Sequence, residues 1–221
     1  MYKLCDLDLL GALGGGENLK TALLLSGGMD SLAIAWWKRP QLAITIDYGQ
    51  KAAEAEILAS KTICGQLGIE HSIIQVDCSS LGSGDMANTS PDSVAPTTDW
   101  WPYRNQLLVT LAAMCAISKG VGTLLIGTVS SDESHLDGTL DFIKRMDDLV
   151  SYQEGGLRIE APAIGVSTPE LIRMSGVPSE FLAWAHSCHK ANIACGNCRG
   201  CNKYMSTYED LGQEYSGANW S

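Results

Sequence analysis

LLLSGGMDS, residues 23–31, decides how the rest of the chain is read. A run of leucines stops at Ser26, and two glycines follow before Asp30 and Ser31. Residues 21–25 have the apolar continuity of a buried strand, and SLAIAWWK (31–38) reads as a helix. In a parallel sheet, ligands bind where the carboxyl end of a strand turns into the next helix. Gly27 and Gly28 let the backbone come close to a ligand there. Ser26, Ser31 and the free N–H groups of a helix starting at Ser31 offer donors to phosphate oxygens. Asp30 suits such an anion site only if a divalent cation bridges it to the phosphates, as Mg²⁺ with hard oxygen ligands would. The bland alternative is an ordinary glycine-containing turn with a serine helix cap.

Outward from this turn the chain alternates. Residues 42–46 (LAITI), 71–76 (HSIIQV), 123–126 and 159–164 read as further strands, and 51–67 as a helix. That order predicts an α/β fold, a parallel sheet with helices on both faces. Residues 79–103, rich in Ser, Gly, Asp, Thr and Pro, form a long loop, either functional (a lid) or disordered. RNQLLVTLAAMCAIS (104–118) is apolar nearly all round and predicts a buried helix. Phe142, Ile143, Met146, Leu149 and Val150 recur at the spacing of an amphipathic helix.

With 221 residues, 45% of them hydrophobic, the chain suffices for one sizeable domain with a small appendage. The expected division is 1–185 for the sheet domain and 186–221 for a cysteine knuckle with a C-terminal helix. A formal charge of −10 argues against a broad grip on nucleic acid and favours small molecules or a protein as partners. The N-terminal MYKLCDLDLLGALGGG has acids where a signal peptide needs a basic segment, and no apolar run is long enough to span a membrane. A soluble, cytoplasmic protein is expected.

Eight cysteines in such a chain point to metal or redox chemistry rather than a secreted disulfide framework. Cys188, Cys195, Cys198 and Cys201 lie in SCHKANIACGNCRGC, where the glycines permit tight turns. Four thiolates at these spacings suit a tetrahedral Zn²⁺ site. An iron–sulfur cluster and disulfides or free thiols are the alternatives. A site closed by four cysteines leaves no open position for substrate, so its expected work is to staple the tail. Cys5, Cys64, Cys78 and Cys115 are expected to be buried, inert thiols.

SGGMDS after an apolar strand resembles the pyrophosphate-binding loop of the ATP pyrophosphatases, the PP-loop group. It has no Lys of its own, unlike the GxxxxGK[ST] loop, and the resemblance implies release of pyrophosphate rather than transfer of the γ-phosphate. Together with the C-terminal four-cysteine knuckle it resembles the 7-cyano-7-deazaguanine synthase (QueC) family. IDYGQ (46–50), PYRNQLL (102–108) and IGTVSSDES (126–134) resemble further motifs of that family, so the likeness runs over roughly residues 21–204. The family implies a three-layer, adenine-nucleotide α-hydrolase-like fold. It implies a ligase that uses ATP and Mg²⁺ to adenylate the carboxylate of 7-carboxy-7-deazaguanine, amidates it with ammonia, and then dehydrates the amide to a nitrile.

Carried over by position, Ser26, Gly27, Gly28, Asp30 and Ser31 would hold pyrophosphate and Mg²⁺. Tyr48, Gly49 and Gln50 would lie beside the adenosine site. Arg104 and Asn105 would face the phosphates or the substrate carboxylate, and Asp132 would lie in the substrate pocket. Asp30, Arg104 and Asp132 are the catalytic candidates. The family is often dimeric, and LDLLGALGGG near the N-terminus is either an interface or a simple hairpin. The blander readings are a helix-entry turn at 48–50 and a surface charge at Arg104, although a cation at a helix start opposes the helix dipole.

The departures matter as much. Thr168 stands where the family carries a Lys in L-x-K-x-E, and the lost cation has no obvious replacement in the sequence. Ser167, Pro169 and Glu170 there predict a capping box with Pro in the first turn. SHLDG replaces an SGYPDC-like stretch, leaving Asp137 as a counterpart of its second Asp. Trp100, Trp101 and Tyr103 stand where smaller residues are usual, and His189 where a Tyr is. Three alternatives follow: an acceptor that is a protein amine, as in divergent relatives encoded in antiphage defence operons; a binder of nucleotide or deazapurine without turnover; and a PP-loop enzyme acting on tRNA, which the acidic charge opposes.

Overall fold

The computed structural model describes residues 20–212. The apolar N-terminal stretch and Cys5 lie outside them. Five parallel strands, β1 (Lys20–Leu24), β2 (Leu42–Asp47), β3 (Glu70–Gln75), β4 (Val121–Leu125) and β5 (Arg158–Glu160), form one sheet in the order β3-β2-β1-β4-β5. The strands are joined by α1 (Met29–Lys38), α2 (Ala53–Leu67), α3 (Arg104–Ser118) and α4 (Leu140–Ser151). After β5 come α5 (Thr168–Ser175), the single turn α6 (Ser179–Leu182) and α7 (Arg199–Leu211).

Alternate residues of each strand feed two cores. Leu23, Leu25 and Ala43 join Leu32, Ile63, Leu171, Ile172 and Leu211 on one face. Ala22, Leu42, Ile44 and Ile46 join Val109, Ala112, Ala116, Ile143 and Met146 on the other. This is the three-layer α/β arrangement expected from the alternation, since strands buried on both faces must be apolar at every position. The chain walks outward from β1 to β3, then returns to the far side of β1 for β4. The loops leaving β1 and β4 therefore diverge, and a crevice opens at their carboxyl ends.

Several expectations need correction. The fifth strand is shorter than residues 159–164: it ends at Glu160, and turns follow at 162–165, because Pro162 cannot donate to a ladder. α3 is buried on one side only, through Val109, Ala112, Ala113 and Ala116, while Met114 and Ile117 are exposed. A helix that covers one sheet face keeps an outer side, whatever its composition. Residues 79–103 contain two short 3₁₀ turns and send Met86 and Trp101 into the core. Cys64 is buried, and burial raises its thiol pKa to about 11, but Cys78 and Cys115 are only partly buried. The capping box of α5 is present as expected: Ser167 Oγ accepts from Glu170 N, Glu170 accepts from Ser167 N at 2.7 Å, and Pro169 lies in the first turn.

Candidate active site

The crevice between β1 and β4 is a cleft of about 750 Å³. Its floor is the 26–28 loop. Gly28 caps α1 with no side-chain bond, so the helix starts at Met29 rather than Ser31. Asp30 and the buried Ser31 thus fall in the first turn, whose N–H groups have no helical acceptor. Gly27 has φ +77°, and a Cβ there would come within 2.8 Å of the Glu56 carbonyl oxygen, so only glycine fits. Ser31 Oγ donates to Gly28 O at 3.1 Å and lies 3.2 Å from Ser26 Oγ. Beneath the loop, the buried Thr45 hydroxyl donates to Leu25 O at 2.7 Å and His186 N–H donates to Gly27 O at 2.9 Å. The turn is fixed before any ligand arrives.

Asp30 points into this floor. One carboxylate oxygen is buried with no partner, and the other accepts from Lys203 Nζ at 2.9 Å. Burial raises the Asp30 pKa, against the opposing pull of Lys203 and the Thr168 hydroxyl. Lys203 Nζ also reaches Asp132 at 3.1 Å, so one ammonium joins the two carboxylates that the sequence singled out. Asp132 is held on its other oxygen by Val129 N–H at 3.2 Å. Thr168 Oγ is buried beside them, its hydroxyl close enough to Asp30 to oppose the rise in its pKa. Hard, partly unsatisfied oxygens of this kind fit Mg²⁺.

On the opposite wall Tyr48 stacks edge-on against Trp101, with ring centroids 4.9 Å apart. The aromatic segment 100–103 thus serves packing through Trp101, while Tyr103, in a left-handed conformation, is exposed. Burial pushes the Tyr48 hydroxyl well above its ordinary pKa, keeping it neutral beside Arg104. Gly49 and Gln50 do not line the cleft; the buried Gln50 amide accepts from Tyr48 N and donates to Ile46 O and Glu56, locking the turn. Arg104 opens α3 inside the cleft, its Nη1 3.1 Å from Met86 Sδ. Asn105 Nδ2 donates to Asp137 O at 3.0 Å, and the Asp137 carboxylate accepts from Asn105 N at 3.4 Å. An acid at this helix start offsets the unfavourable position of Arg104.

A further group closes the rim. Asp99 is buried, 3.2 Å from His189 Nδ1 and 3.6 Å from Arg199 Nη1, and accepts from Thr97 Oγ at 2.6 Å. Burial alone would raise its pKa, but these partners hold the carboxyl well below the usual range. Arg199 Nη1 lies 2.6 Å from His135 Nε2, which makes that nitrogen the acceptor and His135 neutral. Burial lowers the His135 pKa in the same sense.

The four knuckle cysteines have their Sγ atoms within 4.8 Å of one another, with 188–198 and 195–201 both at 3.9 Å. A tetrahedral ion bonded to sulfur at about 2.3 Å requires S···S separations of about 3.8 Å. The set fits one metal and is far from disulfide length. The Asn197 N–H lowers the Cys195 thiol pKa, while burial and the neighbouring thiols raise that of Cys201, as expected for sulfurs crowded together. Cys198 also caps α7, accepting from Cys201 N. Gly200 lies against the Ser187 carbonyl, where any Cβ would collide.

Of the nucleotide, substrate and metal candidates, all line the cleft or the knuckle except Gln50 and the glycines Gly27 and Gly49; Trp100, Trp101 and Tyr103 do not line it either. Glu56, Asp99, His135, Arg199 and Lys203 line it unannounced, and His189, singled out only as a departure, joins them. The signal for Lys203 was available: two residues beyond Cys201 on a helix, it must face away from the knuckle. Asp99 and Glu56 carry no such local signal.

The family model described as queuosine biosynthesis protein QueC matches residues 20–212. A protein of Methanosarcina barkeri named 7-cyano-7-deazaguanine synthase is 30% identical over 220 residues, spanning 88% of this chain and 95% of that one. Another so named, from Nitrosospira multiformis, is 30% identical over 212 residues, spanning 86% and 91%. The solved NMN synthetase of Francisella tularensis superposes with a TM-score of 0.46 at 12% identity over 89% of this chain and 86% of that chain, a likeness too coarse to bear on chemistry. With a match that runs through the sheet, the cleft loops and the knuckle alike, the chain belongs to the QueC family of queuosine biosynthesis proteins.

Proposed function

We propose that this protein is an ATP-dependent ligase that adenylates the carboxylate of 7-carboxy-7-deazaguanine and converts the mixed anhydride to an amide with ammonia. The observation that carries the reading is Asp30. It is a largely buried carboxylate with one buried, unpartnered oxygen, set in the first turn of a helix whose free N–H groups face the switch point of a parallel sheet. A carboxylate at a helix N-terminus needs no anion. A cation that joins it to phosphates explains both the open oxygen and the open N–H groups.

In this reading Ser26, Gly27, Gly28 and Ser31 would cradle the departing pyrophosphate, and Asp30 with Asp132 would hold Mg²⁺, which would supply positive charge to the phosphates. Tyr48, kept neutral by burial and packed edge-on against Trp101, forms the wall beside the adenosine. Arg104 and Asn105 hold the substrate carboxylate in line with the α-phosphorus, and Asp137 fixes Asn105. The carboxylate oxygen attacks that phosphorus and pyrophosphate leaves. Ammonia then attacks the carbonyl carbon, AMP leaves with the bridging oxygen, and a proton is released. The four cysteines hold Zn²⁺ as a structural ion, with no open position for chemistry.

Mass spectrometry of products from ATP, Mg²⁺, 7-carboxy-7-deazaguanine and ammonia tests this directly. AMP, pyrophosphate and the amide or nitrile of the deazaguanine are expected. Turnover that needs a protein amine in place of ammonia would move the acceptor. ATP binding without turnover under either acceptor would refute the ligase reading.

A further inference from the structure

Lys203 is the residue of the cleft that the motifs do not account for. It belongs to α7, the helix that begins inside the cysteine knuckle, yet its Nζ lies 2.9 Å from Asp30 and 3.1 Å from Asp132. Cys201 and Lys203 are two residues apart, a rotation of roughly 200° about the helix axis, so one faces the metal while the other faces the cleft. Cys198 caps that helix, and Gly200 presses it against Ser187, which fixes where the ammonium emerges.

A lysine held only to staple α7 to the sheet would need one carboxylate. This one spans two, and both lie on the floor where the free N–H groups of α1 gather. The Lys203 side chain is two-thirds buried, and one Asp30 oxygen takes no bond from it. Two carboxylates and one ammonium leave a net negative charge at the place where an anionic ligand must enter. The arrangement is therefore complete only when further positive charge arrives with that ligand. With a divalent cation on Asp30, the ammonium would be free to turn to phosphate oxygens. Thr168, whose hydroxyl also acts on Asp30, carries no charge.

We propose that Lys203 is a phosphate-binding residue of the cleft, supplying from the C-terminal knuckle the cation that contacts the triphosphate of ATP. This rests on the nucleotide reading above, but its test is separable from the reaction. Calorimetric titration of the metal-loaded full chain with ATP and Mg²⁺ should show about tenfold to a hundredfold weaker binding for Lys203→Met, the loss expected for one charge-assisted contact. Lys203→Arg should stay within about tenfold of the parent, because it keeps the charge. Thr168→Lys added to Lys203→Met should recover most of the loss, since position 168 looks onto the same carboxylate. A purely structural lysine would lower the melting temperature and leave ATP affinity unchanged, and that result overturns the proposal. An equal loss of affinity in Lys203→Arg also overturns it. If the parent binds ATP but releases no pyrophosphate with 7-carboxy-7-deazaguanine, the reaction proposed above fails while Lys203 is still decided by affinity.

Discussion

Asp30 shows how a residue can be placed for chemistry at the expense of stability. Its carboxyl is desolvated, one oxygen has no partner, and Lys203 does not fully compensate, since the pKa stays raised. Asp30→Ala should therefore leave the melting temperature unchanged or higher while pyrophosphate release falls at least about a hundredfold. Release at the parental rate would remove the cation-bridging role. His71 acts differently. The Thr45 hydroxyl gives its proton to Leu25 O, so His71 Nε2, 2.8 Å from that oxygen, must itself donate. Burial, with Lys61 nearby, lowers its pKa below 6.5. A histidine whose folded pKa is depressed stabilises the protein above its unfolded pKa, and that contribution is lost as pH falls below about 6.5. The melting temperature should fall between pH 7 and pH 5, and it should fall less in His71→Gln. An equal fall in both would show that His71 does not carry the effect.

At the scale of elements, what the sequence made legible was local. The 23–31 stretch predicted its strand, its turn and its helix because apolar continuity, two glycines and a cap are all encoded within nine residues. The error of two residues at the start of α1 arose because Gly28, not a serine, is the cap. The capping box at 167–170 was readable for the same reason. The burial of α3 was misjudged because composition records apolarity without recording which side meets the sheet. Asp99 and Arg199 were missed because they reach the cleft through tertiary packing of the 79–103 segment and the knuckle, with no motif of their own. The knuckle joins both scales. Cys198 is a metal-ligand candidate and the cap of α7, so Cys198→Ala should remove bound metal and lower the melting temperature together, with about 1 kcal/mol from the cap alone. Metal lost with normal melting would show that the knuckle is not structural.

Across the whole molecule, the C-terminal segment closes the cleft that the sheet opens. His186 bonds Gly27, Asn192 caps α2 by accepting from Ala55 N, Lys190 pairs with Asp85, His189 lies against Asp99, and Lys203 joins Asp30 to Asp132. These ties tether the tail to α2, to the 26–28 loop and to the 79–103 segment at once. The C-terminal segment thus contributes side chains to the cleft as well as ties to its walls. Among the described residues no helix is long and apolar enough to cross a membrane. The most direct measurement is exchange of labelled pyrophosphate into ATP, which occurs only if a carboxylate is reversibly adenylated on the enzyme. Exchange that appears with 7-carboxy-7-deazaguanine and Mg²⁺, and vanishes without either or in Asp30→Ala, is the predicted result. A parent enzyme that binds both ligands and shows no exchange would contradict activation of a carboxylate in this cleft.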